Sequence, residues 1–424
     1  MLICTGAVAV IGLWWFDTTS VVGFSGWLTN AGRVTGLLAG YACAVLLALM
    51  SRLPVLERAV GSDRLARWHA LGGRYTISLT LAHVLLITLG YADSAHAGVI
   101  GQATTLVLAY PDMLMATAGF VLLLATGVIS ARAARRRLSY ETWHYLHFAT
   151  YLALFLAFSH QLSNGADFVA HRPAQLAWYA LYIGVASLLV WYRFLTPLRR
   201  ALRHQLVVTE VRPEAPGVVS VFMAGLHLDD LGALPGQFFR WRFLAPGMWW
   251  TANPYSLSAP SDRGFLRITV KAVGRHSEAL ARLRPGTRVW AEGPYGALTA
   301  ARHTSSKVLL LGGGVGITPL LALFETLPGN VTLLYRARRP QDLALWREID
   351  AIAARRGATV HYVVDEPAVH SSPLTADGLT VLVPDIAERD VYLCGPPGMT
   401  SAAIPALRRA GVPRRRIHHE SFAF

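Results

Sequence analysis

Histidines recur at paired spacings inside apolar segments, and this pattern limits the chain more than any other. Trp68 to Val84 reads WHALGGRYTISLTLAHV, with His69 near one end and His83 near the other. Fourteen residues of helix at ~1.5 Å rise separate the two imidazoles by ~21 Å along the axis, most of a ~30 Å hydrocarbon layer. A second apolar stretch, Trp143 to Leu162, carries His147 and His160. An ionisable side chain within a membrane segment is costly and marks function by default. Two helices with two histidines each, at nearly equal spacing, predict two stacked bis-histidine haem sites with these four residues as iron ligands.

Apolar segments fall at roughly 2–16, 33–50, 69–91, 111–130, 144–162 and 174–195, most of them near the ~20 residues that a spanning helix needs. Hydrophobic residues make up 53% of the 424 and charged residues 15%, a balance that suits a chain partly in membrane and partly outside it. The N-terminal stretch lacks a basic leader and is followed by five more apolar segments, so it reads as a first span rather than a signal peptide. The net charge of +14 would also suit nucleic acid, but the arginines account for it otherwise. Arg52, Arg58, Arg64 and Arg67 lie between the second and third segments. Arg132, Arg135, Arg136 and Arg137 lie between the fourth and fifth, and Arg199, Arg200 and Arg203 follow the sixth. Loops 17–32 and 92–110 hold no Lys or Arg, and loop 163–173 holds only Arg172. This alternation predicts both termini in the cytoplasm. The third and fifth segments then run parallel, with His69 and His147 at the inner level and His83 and His160 at the outer.

The fifth segment needs an irregularity. Fourteen residues of helix return to within ~40° of the same face, whereas thirteen leave ~140° between His147 and His160, so a bulge or local unwinding is required. His144 is the alternative inner ligand, at a spacing that fits no better. Arg74, about one turn above His69, is read against an inner haem propionate, with snorkelling as its competing role. Arg33 opens the second segment at the outer side and is read against outer-haem propionates or a small anion. Tyr151 and Phe155 lie between the two levels, and His96 and His171 fall in outer loops. Cys4, Cys43 and Cys394 are too few and too scattered for a disulfide framework or a zinc site.

After Arg203 the pattern changes. QLVVTEV, GVVSVFMA, GQFFRWRF, FLRITVKAV and TRVWAEG predict a small antiparallel β-barrel over 199–304, following a membrane part over 1–198. A helix from Ser277 to Leu283, with Ser277 as N-cap, interrupts the barrel. From Lys307, strands KVLLLGGG, VTLLYRA, ATVHYVVD and VYLCGPPG alternate with helices from Thr318, around Leu343 to Arg355, and at the end. This predicts an α/β doubly wound domain with a parallel sheet over 305–424. Leu311–Leu320, LGGGVGITPL, follows a strand and opens a helix, so Gly312, Gly313, Gly314 and Gly316 let backbone N–H groups approach a pyrophosphate. The next strand ends Tyr335-Arg336-Ala337-Arg338-Arg339 with no acidic residue. Arginines there favour a 2′-phosphate, and so NADPH over NADH.

Together these motifs resemble the transmembrane ferric reductase and NADPH oxidase family over nearly the whole chain. The resemblance implies a six-helix transmembrane bundle with two b-type haems, then a ferredoxin-NADP reductase-like module holding FAD and NADPH. The spacings of 14 and 13 residues are those of the family's haem ligands on its third and fifth spans. Asn253-Pro254-Tyr255-Ser256-Leu257-Ser258 looks like the flavin motif, which implies Tyr255 stacked near the isoalloxazine and Ser256 bonded close to flavin N5. Lys271, Gly274 and Ser277 look like the element that takes the FAD pyrophosphate. GGGVGITP resembles the NADPH phosphate loop, with Thr318 and Pro319 at its helix start. Cys394-Gly395-Pro396-Pro397-Gly398-Met399 resembles the turn that places a cysteine by the nicotinamide. The ending His419-Glu420-Ser421-Phe422-Ala423-Phe424 implies an aromatic cover for the flavin, Phe422 first and Phe424 second.

The chain departs from the family at two places. Asn253 stands where the flavin motif usually begins with Arg or His, and Ile87 stands where animal superoxide-producing members have a further histidine. Arg33 is similar in position to the arginine of their oxygen-reduction site. The implied activity is electron transfer in a bacterial-type cell membrane, from cytoplasmic NADPH to an external acceptor. Dioxygen giving superoxide comes first, a ferric or cupric chelate second and a periplasmic partner third. The competing class is a metal transporter whose paired histidines bind zinc or copper above a nucleotide-sensing half. It leaves the flavin motif and terminal aromatic unexplained.

Overall fold

The computed structural model describes residues 2–131, 137–138, 140–169, 171–365 and 374–420. The chain forms two compact units, Met1–Leu56 with Arg64–Phe194, and Glu57–Asp63 with Leu195–Phe424.

In the first unit, helices lie over each apolar segment: Leu2–Asp17, Gly23–Leu49, Ser62–Ser94, Met113–Ser130, Ala149–Asn164 and Arg172–Val190. Among the described residues, four helices are long and apolar enough to cross a membrane: Gly23–Leu49, Arg64–Ser94, Met113–Ser130 and Arg172–His204. The first segment makes only 16 helical residues. The fifth is broken into Tyr140–His147 and Ala149–Asn164. At the break, the Phe148 N–H bonds to the Tyr145 carbonyl and the Tyr151 N–H to the Phe148 carbonyl. These i→i−3 bonds tighten one turn directly after His147, so the irregularity is there but in the opposite sense to the bulge or unwinding expected from the thirteen-residue spacing. The loop 92–110 contains a further helix, Val99–Ala109; it carries no charge, so a reading based on loop charge passes over it.

Small residues let the helices approach closely. A Cβ added at Gly40 would sit 2.8 Å from the Trp178 ring, and one at Gly119 would sit 2.6 Å from the Ala153 carbonyl oxygen. Tyr182 donates to the Gly40 carbonyl at 2.8 Å, and Trp178 Nε1 donates to Gln161 Oε1 at 2.9 Å. The buried polar groups of this packing are thereby satisfied.

The second unit begins with six strands: β1 Val207–Ala215, β2 Val218–Ala224, β3 Phe238–Phe243, β4 Asn253–Ser256, β5 Leu266–Lys271 and β6 Val289–Tyr295. They form two antiparallel sheets, β1-β2-β5 and β4-β3-β6. Isolated bridges join Leu257 to Ile268 and Val207 to Arg288, so the two sheets meet at both edges around a core that includes Met223, Phe239, Trp241, Phe243 and Ile268. The helix here is Arg275–Ala279 with Gly274 at its N-cap. Ser277 is therefore not the cap residue. It lies in the first turn, where its Oγ accepts from the N–H groups of Val273 and Gly274 at 3.0 and 3.1 Å. The hydroxyl reaches back across the cap instead of occupying it.

The remaining strands are β7 Lys307–Gly313, β8 Asn330–Ala337, β9 Thr359–Val364, β10 Asp390–Cys394 and β11 Ile417–His419. They make a parallel sheet in the order β11-β10-β7-β8-β9. Alternation of apolar and polar residues gives way here to continuous apolar runs, as in β7, because both faces are covered. Val308 and Leu310 enter one core, Leu309 and Leu311 the other. The covering helices are Ile317–Thr326, Trp346–Arg356, Ala376–Leu382 and Pro397–Arg409. The chain moves outward from β7 through β8 to β9, then returns to β10 on the other side. The switch point lies between β7 and β10, and in such sheets ligands bind outside the carboxyl ends of the strands at that point.

Candidate functional site

The four histidines meet as two pairs. Ring centroids of His69 and His147 are 5.9 Å apart, and those of His83 and His160 are 6.5 Å apart. Two imidazoles on opposite sides of one metal, with bonds of ~2 Å, put their centroids ~6 Å apart. Both separations fit a shared iron. Nδ1 of His69 donates to the Leu46 carbonyl at 3.2 Å, and Nδ1 of His83 to the Gly32 carbonyl at 2.8 Å. A carbonyl only accepts, so these bonds fix the tautomer and leave Nε2 for a metal. His147 Nδ1 lies 3.4 Å from Ser130 Oγ, and Trp143 stacks on its ring. Gly36 makes a cradle for His83: an added Cβ would lie 2.5 Å from Nδ1. His144 packs its ring 4.6 Å from that of Phe148 rather than joining a pair. Among the described residues, no group of three or more His, Cys, Asp or Glu is arranged to hold a metal ion. Each pair thus offers two imidazole nitrogens, the donor set that a haem takes from its protein.

Arg74 is exposed. Arg33 is committed: its guanidinium meets Asp167 at 2.6 and 3.4 Å and Asp17 at 2.9 Å. His171 pairs with the other oxygen of Asp17. Sequence reading missed both carboxylates, which lie 134 and 16 residues from Arg33. Ile87 packs against Gly32, where an added Cβ would come within 2.8 Å of it.

In the second unit, β4 carries Asn253, Pro254, Tyr255 and Ser256 at a sheet edge, where Pro254 costs no ladder bond. Trp241 Nε1 donates to the Tyr255 carbonyl at 2.9 Å. Burial pushes the Tyr255 phenol up from its ordinary range, so it stays neutral. Asn253 Nδ2 and Ser256 Oγ are buried without a hydrogen-bond partner among the described residues. Unpaired buried polar atoms are rare, and these two fit a ligand that supplies acceptors and donors there. Leu257 and Ser258 turn inward instead. Leu257 joins the barrel core. The Ser258 hydroxyl accepts from Arg267 Nε at 3.0 Å and from Thr269 Oγ1 at 2.8 Å. Arg267 in turn forks onto Glu348 at 2.6 and 3.0 Å, tying the barrel to the Trp346–Arg356 helix. Lys271 and Gly274 are exposed at the end of β5.

At the switch point, Gly312 on β7 pairs with Cys394 on β10. The loops that follow are pressed together. A Cβ at Gly316 would lie 2.4 Å from the Cys394 carbonyl oxygen, and one at Gly313 would lie 2.1 Å from Met399 Sδ. Gly314 has φ +54, in the left-handed region that favours glycine. Thr318 caps the turn by donating to the Val315 carbonyl at 3.0 Å, with Pro319 buried beside it. Cys394 is wholly buried, and burial lifts its thiol well above the ordinary range. Gly395 and Pro396 follow at the rim. At the end of β8 the arginines are not alone. Arg336 forks onto Asp365 at 2.8 and 3.1 Å, and Arg339 onto Asp342 at 3.2 Å through each nitrogen. Asp365 follows β9, so the acidic residue absent from the β8 end arrives from the neighbouring strand. Arg338 makes no ion pair among the described residues. Glu420 Oε1 accepts from the Ala297 N–H at 2.6 Å and anchors the last described residue beside β6. Phe422 and Phe424 lie outside the described residues.

Comparison with known proteins accords with this division. Residues 35–158 match the ferric reductase like transmembrane component, and residues 310–404 match the oxidoreductase NAD-binding domain. The first match contains His69, His83 and His147 and ends just before His160. The reductase subunit of stachydrine N-demethylase from Rhizobium meliloti is 33% identical over 229 residues, 50% of this chain and 64% of that protein. The glycine betaine monooxygenase reductase subunit of Pseudomonas aeruginosa is 31% identical over 204 residues, 44% of this chain and 56% of its own length. The chain thus spans less than two thirds of these relatives. Among solved structures, the ferredoxin reductase in carbazole 1,9a-dioxygenase shares 26% identity with a TM-score of 0.43, covering 52% of this chain and 69% of that one. The chain thus joins a region similar to a ferric reductase transmembrane component to one similar to an oxidoreductase NAD-binding domain.

Proposed function

We propose that the chain carries electrons across a bacterial-type cell membrane, from cytoplasmic NADPH through FAD and two b-type haems to an acceptor outside, with dioxygen giving superoxide as the first reading. The observation that carries it is the meeting of four histidines as two pairs, at 5.9 and 6.5 Å between ring centroids. Bound FAD and haem supply hydride acceptance and one-electron relay, so that one NADPH furnishes two single electrons. The protein positions and insulates. His69 and His147 hold the inner site, and His83 and His160 the outer, with the Leu46 and Gly32 carbonyls orienting two of the four rings. With His83 and His160 both holding the outer group, an acceptor would be reduced at the edge of that site.

In the soluble unit, Asn253, Tyr255 and Ser256 hold the flavin, and Lys271, Gly274 and Ser277 form the turn for its pyrophosphate. The glycine loop from Gly312 to Gly316, with Thr318 and Pro319 behind it, receives the dinucleotide pyrophosphate. Arg338, which makes no ion pair among the described residues, reads the 2′-phosphate, and Arg336, held by Asp365, flanks it. Cys394 is a neutral thiol beside the nicotinamide, and Gly395 and Pro396 leave room for the ring. Phe422 and Phe424 supply the aromatic cover for the flavin. The arginine-rich loops support a cytoplasmic position for both termini.

A ferric or cupric chelate without net negative charge is the second reading for the acceptor, and one observation favours it. Arg33 is held by Asp17 and Asp167, which leaves no unpaired cation at that residue to attract an anion. The test supplies NADPH to haem- and FAD-loaded protein and compares superoxide-dismutase-sensitive cytochrome c reduction with anaerobic ferric-chelate reduction. His83→Ala is expected to lower transfer to either external acceptor at least ~100-fold while NADPH still reduces the flavin. External reduction at the normal rate in that variant would overturn the proposal.

A further inference from the structure

Arg33 sits where the second helix meets the outer histidine. The residue before it, Gly32, gives the carbonyl that orients His83 at 2.8 Å. Its guanidinium is gripped by two carboxylates from separate parts of the chain: Asp17 at the end of the first helix and Asp167 in the short Ala166–Val169 turn. Asp167 is almost fully buried, with 3% of its side chain exposed, against 18% for Arg33. The Asp167 contact is bidentate, the geometry in which a guanidinium and a carboxylate bind most strongly. Asn30 Oδ1 takes another guanidinium N–H at 3.4 Å, and itself accepts from Trp14 Nε1 at 3.0 Å. The hydrogen-bonding groups around Arg33 are thus acceptors that the fold itself supplies, in place of an incoming anion. Counting formal charges, one guanidinium faces two carboxylates, and His171 is a further titratable partner of Asp17.

We propose that Asp17 and Asp167 are specificity-determining residues for the acceptor: by occupying Arg33 they keep the outer end of the His83–His160 pair closed to anionic acceptors and open to neutral or cationic ones. This rests on the proposed outward electron transfer. The carboxylates act through Arg33 and through the local field, and neither needs to touch the acceptor. Replacing one of them with its amide keeps the side-chain shape and releases one negative charge and half of the clamp.

Two membrane-impermeant one-electron acceptors of similar size and opposite charge separate the outcomes: ferricyanide and hexaammineruthenium(III). They are added outside intact spheroplasts with NADPH generated inside, and the His83→Ala rate is subtracted as background. In Asp167→Asn, kcat/KM for ferricyanide relative to hexaammineruthenium(III) is expected to rise about tenfold at low ionic strength, mainly through KM, and to shrink toward wild type as salt is added. Arg33→Met should move the ratio the opposite way, and combined with Asp167→Asn it should cancel the gain. Potentiometric titration of the purified protein should show one of the two haem components shifted to higher potential in Asp167→Asn, a readout that needs no acceptor. Asp17→Asn serves as the second variant if Asp167→Asn does not fold. A ratio within twofold of wild type in both amide variants, with outward transfer intact, would overturn the proposal. Loss of the difference between wild type and His83→Ala would instead overturn the proposed function beneath it.

Discussion

The histidine pairs of the first unit are set by distances along helices, whereas the nucleotide loops of the second are set by which strands become neighbours. His69 and His83 are fourteen residues apart on one continuous helix, Ser62–Ser94, and their partners are thirteen apart, with one tightened turn at Phe148 between them. Gly312 and Cys394 share no such interval. They meet because β10 returns to pair with β7. A site built on helix heights tolerates change in its loops but not in the small residues that fix the helix approach. A site built on a switch point tolerates change within its strands' flanks but not in the glycines where two loops touch.

Substitutions at glycines test this contrast, because each unit should fail without the other. The largest effect belongs to Gly316→Ala, whose Cβ would press to 2.4 Å on the Cys394 carbonyl, a backbone atom that cannot swing away. NAD(P)H-driven flavin reduction should fall by about 100-fold or more, with the haem absorption spectrum unchanged. A normal reduction rate would show that the two loops need not touch. Gly36→Ala is the counterpart in the first unit, with a Cβ 2.5 Å from His83 Nδ1. It should leave flavin reduction intact and lower transfer to an external acceptor about 10-fold, as expected when the support of a metal-binding histidine is disturbed. Equal losses in both assays would break the contrast. The smallest effect concerns the join inside the second unit. Glu348→Gln leaves Arg267 buried with a neutral partner, and since Glu348 is itself 27% exposed, denaturant unfolding should register about 1–3 kcal/mol. A change below ~0.5 kcal/mol would mean that Ser258 and solvent suffice to hold Arg267.

Features with a local period were legible in the sequence. The apolar segments, the strands from QLVVTEV to VYLCGPPG and the glycine-rich strand-turn-helix all announce themselves within ten or twenty residues. The grouping of the four histidines was legible too, because loop arginines gave each helix a direction, and the structure brings the same residues together. Partnerships across the fold were not. Asp167 meets Arg33 from 134 residues away and Asp365 meets Arg336 from 29 residues away, so the arginines read as open cationic sites when their charge was already engaged. Short elements were also missed. β4 is four residues long and contains a proline, and its ladder with β3 supplies what its own propensity does not. Ser277 was placed at a cap because serine favours that position, yet Gly274 holds the cap and the hydroxyl serves it from within the first turn.

The most direct measurement is the haem content of the purified full-length chain, taken from its pyridine haemochromogen and its dithionite-reduced spectrum. Two low-spin haems per chain, both reducible by NADPH when FAD is bound, are the result expected from two histidine pairs. A single haem, a high-spin spectrum, or a chain that takes up zinc or copper in place of haem would contradict it.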